Sequence, residues 1–241
     1  MNILFVALTL WLTLIVPQCA KCAERKCVKE TWEEAELPEF CPMKHKAGVI
    51  EAAMEKYDEG ETWLYYNSTV TEQRAYQNVR GRVMAVRPRL LEIIKLSEMM
   101  GWNRLGVAFC TGLGNEARRV VEILEGAGFE VYSVCCKCGA VDKTEWGIEG
   151  KDKIVALRGD PEGFEAGCNP IVQAEILKSE DTDLNIIVGL CVGHDIQFTS
   201  NSAAPVTTLI VKDRLTGHNP FSTLYSGYHH PRLWKEDPID D

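Results

Sequence analysis

Four short apolar segments separated by helical patterns constrain the fold of this chain more than any other feature. The segments have the length and composition of buried strands, and they cover residues 104–110, 129–135, 184–191 and 206–212. Strands that alternate with helices form right-handed crossovers and a parallel sheet that is buried on both faces. The pattern predicts an α/β fold: a Rossmann-like three-layer domain with a mostly parallel sheet, preceded by a small cysteine-rich metal-binding lobe and helices.

The predicted organisation has four parts. They are an apolar leader over residues 1–18, a cysteine-rich metal lobe over 19–45, a helical linker region over 46–84 and the α/β domain over 85–241. Within the linker, residues 47–57 have helical spacing and 58–69 read as loop. A long helical stretch, interrupted by Gly81 and Pro88, is then expected over 72–100.

The leader is apolar through residue 16 and carries no basic residue before its apolar run, so it is a poor signal peptide. Sixteen helical residues span roughly 24 Å, less than the ~30 Å core of a bilayer. A membrane anchor, a signal-like segment and a wrongly assigned start remain open. If the segment spans a membrane, the basic residues that follow it keep the body in the cytoplasm, and we expect a cytoplasmic protein.

Composition excludes some classes of function. The 241 residues include 26 basic and 35 acidic side chains, giving a formal charge of −9, which argues against a general nucleic-acid binder. Ten cysteines are many for a chain that is long enough to bury a core without disulfides. In a reducing compartment they point to metal or redox chemistry, whereas secretion would favour five disulfides.

The cysteines fall into two groups. Cys19, Cys22, Cys27 and Cys41 have spacings that suit four-thiolate zinc or an iron–sulfur cluster. The second group follows the predicted strands, and its members are Cys110, Cys135, Cys136, Cys138, Cys168 and Cys191. Because the carboxyl ends of parallel strands line one edge of a sheet, these thiols are expected to converge on a metal there. The alternative is that they are buried as small apolar side chains.

Cys168 is the weakest member of the second group. It precedes a predicted helix start, which we expect at the opposite edge of the sheet, although the loop over 139–167 could return it. His194 and His218 follow the third and fourth strands and are candidate metal ligands. Asp213 and Arg214 are interpreted as a loop ion pair.

Two alternative functions stay open. Gly112 and Gly114 begin a G-x-G-x-x-A pattern between a strand and a helix, which is typical of nucleotide-binding enzymes, but the expected acidic residue is replaced by Cys135 and Cys136. A thiol oxidoreductase or cysteine-nucleophile enzyme is the second alternative. It would use Cys135, Cys136 and Cys138 of the turn that follows the second strand.

Four strings in the sequence resemble an uncharacterised family of cysteine-rich prokaryotic proteins, described as metal-binding and known mainly as a domain of unknown function. They are GVAFCTGLGNEA, VYSVCCKCGAVDK, GCNPIVQAEILKSEDTDLNIIVGLCVGHD and APVTTLIVKDRLTGHNP. The resemblance runs from Cys19 to about Arg232, and the apolar leader departs from it. It implies metal binding, with iron–sulfur favoured over zinc, and it supplies no reaction, substrate or catalytic residue. We therefore expect a metal protein with a role in redox or sulfur chemistry, whose redox partner, small-molecule ligand and oligomeric state are unspecified.

Overall fold

The structure is a computed structural model that describes residues 16–34 and 36–227. Nearly all of the apolar leader lies outside these residues. No helix in the described ranges combines the length and apolar character needed to cross a membrane. The chain divides into two compact units after Tyr66.

The first unit begins with short 3-10 turns and continues into helices. Its helices are α1 (Pro42–His45), α2 (Ala47–Met54) and the start of α3 (Glu59–Arg74), which confirms the predicted helix at 47–57. The loop predicted over 58–69 is wrong, because α3 covers it. Asp58 caps this helix, because its carboxylate accepts the N–H of Glu61 at 2.9 Å. An aspartate at this position is a helix-start signal that the loop prediction did not use.

The helix predicted over 72–100 is also wrong in its first half. Strands β1 (Tyr76–Val79) and β2 (Arg82–Ala85) form an antiparallel hairpin there, and helix α4 (Arg89–Met100) follows. Arg80 and Gly81 both have positive φ, 53° and 80°, which is the backbone of a two-residue hairpin turn. Gly81 thus closes a hairpin instead of interrupting a helix.

The rest of the second unit confirms the Rossmann-like prediction. Its strands are β3 (Arg104–Phe109), β4 (Glu130–Cys135), β5 (Leu184–Val188) and β6 (Val206–Ile210), and its helices are α5 (Gly114–Gly126), α6 (Pro170–Ser179) and α7 (His194–Asn201). The four strands are parallel and lie in the order β4-β3-β5-β6. Right-handed crossovers place α5 on one face and α6 with α7 on the other.

The core of this unit lies around β5, all five residues of which are buried. Helix α5 contributes Ala117, Val120 and Leu124, which recur at the spacing of a single helix face. Gly106 of β3 pairs with Asn185 of β5, and the side chain of Asn185 packs directly over Gly106. A β-carbon at position 106 would overlap that side chain.

Candidate thiol site at the sheet edge

The strand order creates a switch point between β3 and β5. The chain leaves β3 toward β4 on one side, and it later returns to form β5 on the other side. In open parallel sheets, ligands bind in the crevice beyond the carboxyl ends at such a point. Cys110 follows β3 directly, and Cys191 follows β5, so the two thiols flank this crevice.

Cys110 and Cys136 continue the pairing of β3 with β4 by one residue. Phe109 pairs with Cys135, and the N–H of Cys136 donates to the carbonyl of Phe109 at 2.8 Å. Because successive side chains of a strand point to opposite faces, Cys110 and Cys136 share one face and Cys135 takes the other. The thiol beside Cys110 is therefore that of Cys136.

Cys168 lies near Cys110 and Cys136. The prediction that it lies at the opposite edge of the sheet is therefore wrong. A crossover helix runs antiparallel to the strands, so α6 begins at their carboxyl edge. The N–H of Asn169 donates to the carbonyl of Cys136 at 2.7 Å, which ties the start of α6 to the end of β4. Asn169 also caps the helix by accepting the N–H of Val172 at 3.3 Å.

The thiol of Cys136 connects the other two sulfurs through hydrogen bonds. Its donation to Cys110 and to Cys168 lowers the pKa of each of those thiols. The same two bonds, together with burial, raise the pKa of Cys136. One protonated thiol thus lies between two sulfurs that favour the thiolate form, and the N–H of Thr111 donates to the Cys136 sulfur at 3.3 Å.

Cationic side chains surround the three sulfurs. The largest effect on the pKa of Cys110 is the lowering by Cys136. The N–H of Gly112 and the ammonium of Lys212 lower this pKa further, and burial opposes them. Lys137 and His194 act in the same way on the pKa of Cys168. The buried Nδ1 atom of His194 has no hydrogen-bond partner among the described residues.

Cys191 has a different partner. The guanidinium of Arg214 donates to its sulfur across 2.9 Å. Asp213, the expected ion-pair partner of Arg214, instead accepts the N–H groups of Leu215 and Thr216. The predicted loop ion pair is therefore wrong, since no ion pair joins Asp213 and Arg214 in this described loop.

A cavity of about 1040 Å³ opens beside the thiols, and Cys110, Cys168 and Cys191 line it. Its outer wall comes from the irregular segment over 139–167. A nearly buried ion pair fixes that segment, with Lys153 Nζ lying 2.8 Å from Asp142 Oδ1. The ammonium of Lys153 also donates to the carbonyl of Gly163 at 3.0 Å, which joins the two ends of the segment.

Several predicted site residues lie apart from this cluster. Cys135 and Cys138 do not line the cavity. The Nδ1 atom of His218 accepts the N–H of Asp213 at 3.1 Å and closes a tight loop. Of the two glycines, Gly112 lines the cavity, whereas Gly114 begins α5.

The N-terminal cysteines are described in the first unit. Cys19 and Cys27 are exposed, and Cys22 and Cys41 are partly buried. All ten cysteines are free thiols. Within residues 16–34 and 36–227, no group of three or more His, Cys, Asp or Glu side chains is placed so that it could hold a metal ion.

The sequence reading missed two cationic residues of the site. Lys212 and Arg214 follow β6, so the strand-end argument that selected the cysteines also applies to them. Their position after β6 is visible in the sequence, but the strand-end prediction was limited to cysteine and histidine residues.

The fold and the site define a Rossmann-like α/β protein with cysteines along the carboxyl edge of its sheet. The chain belongs to the family described as "Protein of unknown function (DUF1847)", which matches residues 41–209, and this confirms the resemblance. It is 42% identical over 188 residues to "Uncharacterized protein MJ0455" of Methanocaldococcus jannaschii, which covers 78% of this chain and 89% of that protein. No solved structure matches the chain.

Proposed function

We propose that the protein binds a thiophilic metal, as zinc or within an iron–sulfur cluster, at the carboxyl edge of its sheet and uses it in redox or sulfur chemistry. The observation that carries this proposal is the convergence of Cys110, Cys136 and Cys168, which the strand register and the backbone hydrogen bond from Asn169 to Cys136 place at the same end of the sheet. These three sulfurs come from three separate places in the chain. Cys191 lines the same cavity as a fourth sulfur.

The described side chains do not form a ready-made metal-binding group, so the thiols would have to move together around a bound metal, but the chemistry of the donors suits such a metal. Metals of this kind bind thiolate, and two of the three clustered sulfurs already favour that form. Metal binding at this site would release the proton of Cys136. When bound, the metal would supply Lewis acidity or electron transfer, while this chain's residues hold the thiolates and set their charge.

Metal analysis of the full-length protein tests the proposal. We expect bound zinc, or iron with acid-labile sulfide, after anaerobic purification, and an optical spectrum distinguishes the two because zinc is colourless. The assay uses a background in which Cys22→Ser and Cys27→Ser remove the N-terminal group. In that background Cys136→Ser should lose the metal.

Cys135→Ser is the matched control, because Cys135 adjoins Cys136 in sequence but occupies the other face of the strand. It should retain the metal. Protein without metal after both aerobic and anaerobic purification would refute the proposal. So would equal metal content in the Cys136→Ser and Cys135→Ser variants.

The same cluster favours a thiol oxidoreductase as a second candidate. Cys136 adjoins Cys110, whose thiol has a lowered pKa and lines the cavity. Oxidation of this pair to a disulfide would transfer two electrons and two protons to an acceptor. Loss of two hydrogen masses from the metal-free protein under a defined disulfide oxidant, abolished in Cys136→Ser, would support this candidate.

The nucleotide-binding alternative rests on Gly112, which lines the cavity at the switch point. Against it, the N–H of Thr111 in the same turn is already donated to Cys136. The remaining test is thermal stabilisation by nucleotides, and the absence of any shift would remove this alternative.

A further inference from the structure

The cavity combines an apolar wall with a cationic rim. On the wall, Trp146, Ile154 and Phe164 have exposed fractions of 49%, 54% and 65%, although the fold has a well-formed core elsewhere. Exposed apolar side chains that gather in a concave site are typical of a site for a small molecule. They provide a surface for an aromatic or aliphatic body.

The rim carries more positive than negative side chains. Five cationic residues line the cavity, and they are Lys137, Lys143, Arg158, Lys212 and Arg214. The acidic residues of the lining are Asp152 and Glu165, and Glu165 is paired with Lys143 at 2.8 Å. This surplus stands out in a chain whose formal charge is −9.

Not all of these cations are engaged by the protein. Lys137 donates to the carbonyl of Ala166, and Arg214 donates to Cys191 through one of its nitrogens. The side chain of Arg158 makes no hydrogen bond or ion pair with any residue that the structure describes. Lys212 interacts with the sulfur of Cys110, and both Lys212 and Arg214 keep further N–H donors that a ligand could use.

We propose that this cavity binds a small organic anion, whose acidic group lies beside Lys212 and Arg214 and whose apolar body packs on Trp146 and Phe164. Cationic side chains next to an apolar wall recognise both parts of such a molecule. The volume of about 1040 Å³ accommodates a molecule of drug or cofactor size. This site uses ammonium, guanidinium and aromatic groups, so it does not depend on metal binding by the thiols.

A pair of fluorescent probes with the same body tests the proposal. 8-Anilinonaphthalene-1-sulfonate carries an acidic group, and N-phenyl-1-naphthylamine is the same body without it. Titration of the full-length, metal-free protein should show saturable binding of the sulfonate at one site. A charge-assisted contact predicts that the neutral probe binds about tenfold more weakly.

Variants separate the two parts of the site. Lys212→Gln should weaken binding of the sulfonate about tenfold and leave binding of the neutral probe unchanged. Retained binding of the neutral probe shows that this variant is folded. Phe164→Ser should weaken binding of both probes. Lys151→Gln is the matched control, because Lys151 belongs to the same segment but pairs with Glu149 at 2.9 Å outside the cavity.

Three results would overturn the proposal: equal affinity for the two probes, non-saturable binding of the sulfonate, or equal binding of the sulfonate by wild type and Lys212→Gln. None of them bears on the metal content of the edge thiols, which is measured separately. Conversely, a protein that never binds metal but discriminates between the probes would refute the proposed function and leave the anion site intact.

Discussion

The thiol of Cys136 donates a hydrogen bond to the sulfur of Cys110, and these residues are neighbours across two strands. The donor stays protonated so that the acceptor can carry the charge. A second bond of the same kind runs from Cys136 to Cys168. The pKa values of Cys110 and Cys168 therefore both depend on the most buried of the three thiols.

Replacing Cys136 by alanine should make Cys110 and Cys168 less reactive in weakly acidic solution. Without the donated hydrogen bond, the pKa of each thiol rises toward the ordinary value of about 8.5. Alkylation of both residues by iodoacetamide, followed by peptide mass spectrometry, should shift to higher pH in metal-free protein. Cys138→Ala is the control, and an unshifted profile in Cys136→Ala would contradict the assigned hydrogen bonds.

Replacing Asp142 by asparagine should destabilise the protein in a pH-dependent way. The neighbouring ammonium of Lys153 holds the pKa of this carboxyl below its usual range, with help from the N–H groups of Thr144 and Glu165. The carboxylate therefore contributes its full stability above the unfolded pKa of about 3.9, and the contribution fades as the pH falls below that value.

Urea unfolding of wild type and Asp142→Asn at several pH values measures this difference. The gap between their midpoints should be widest near neutral pH and narrow below about pH 4. Asp152→Asn, an exposed aspartate of the same segment, should show little change at any pH. A gap of constant width down to pH 3 would rule out the charge interaction as its cause.

Replacing Gly106 by alanine should destabilise the sheet. The added methyl group would overlap the side chain of Asn185 and lie 2.9 Å from Leu177 Cδ1. Overpacking of this kind costs about 1–3 kcal/mol. Gly126→Ala at the end of α5 has open space around it and should not destabilise the protein. Denaturant unfolding compares them, and equal midpoints would mean that the sheet relaxes around the methyl group.

Replacing Gln173 by methionine should loosen the start of α6. This side chain is fully buried, and its amide donates to the carbonyls of Val134 at 2.7 Å and Phe109 at 3.3 Å. Leaving a buried carbonyl without its donor costs about 1–3 kcal/mol. The exposed Gln197→Met serves as the comparison in thermal unfolding. Because Cys168 lies next to this helix start, its alkylation rate should also change in Gln173→Met.

The strands and the crossover helices could be predicted from the sequence, because their apolar periodicity is strong and local. The hairpin at 76–85 was not predicted, since its strands are exposed and only the Arg80-Gly81 turn marks them. The partnership of Cys110 with Cys136 depends on register between two strands. A shift of one residue would have selected Cys135, and no local pattern fixes that choice.

The wall of the cavity could not be predicted from the sequence, and the reason is different from that for the hairpin. The 139–167 segment forms only short 3-10 helices, and its course is fixed by a few polar contacts such as the pair of Asp142 with Lys153. The position of Cys168, in contrast, followed from topology. The direction of α6 was enough to place it, once a crossover helix is recognised as running against the strands.

The two parts of the site have separate origins in the chain. The sulfurs lie at strand ends and at Cys168, the residue before the N-cap of α6, while the facing wall is the segment over 139–167 between β4 and α6. Substitutions in this segment would therefore change the cavity wall without changing the positions of the thiols. The shape of the cavity and the placement of the thiols can thus vary independently of each other among proteins with this fold.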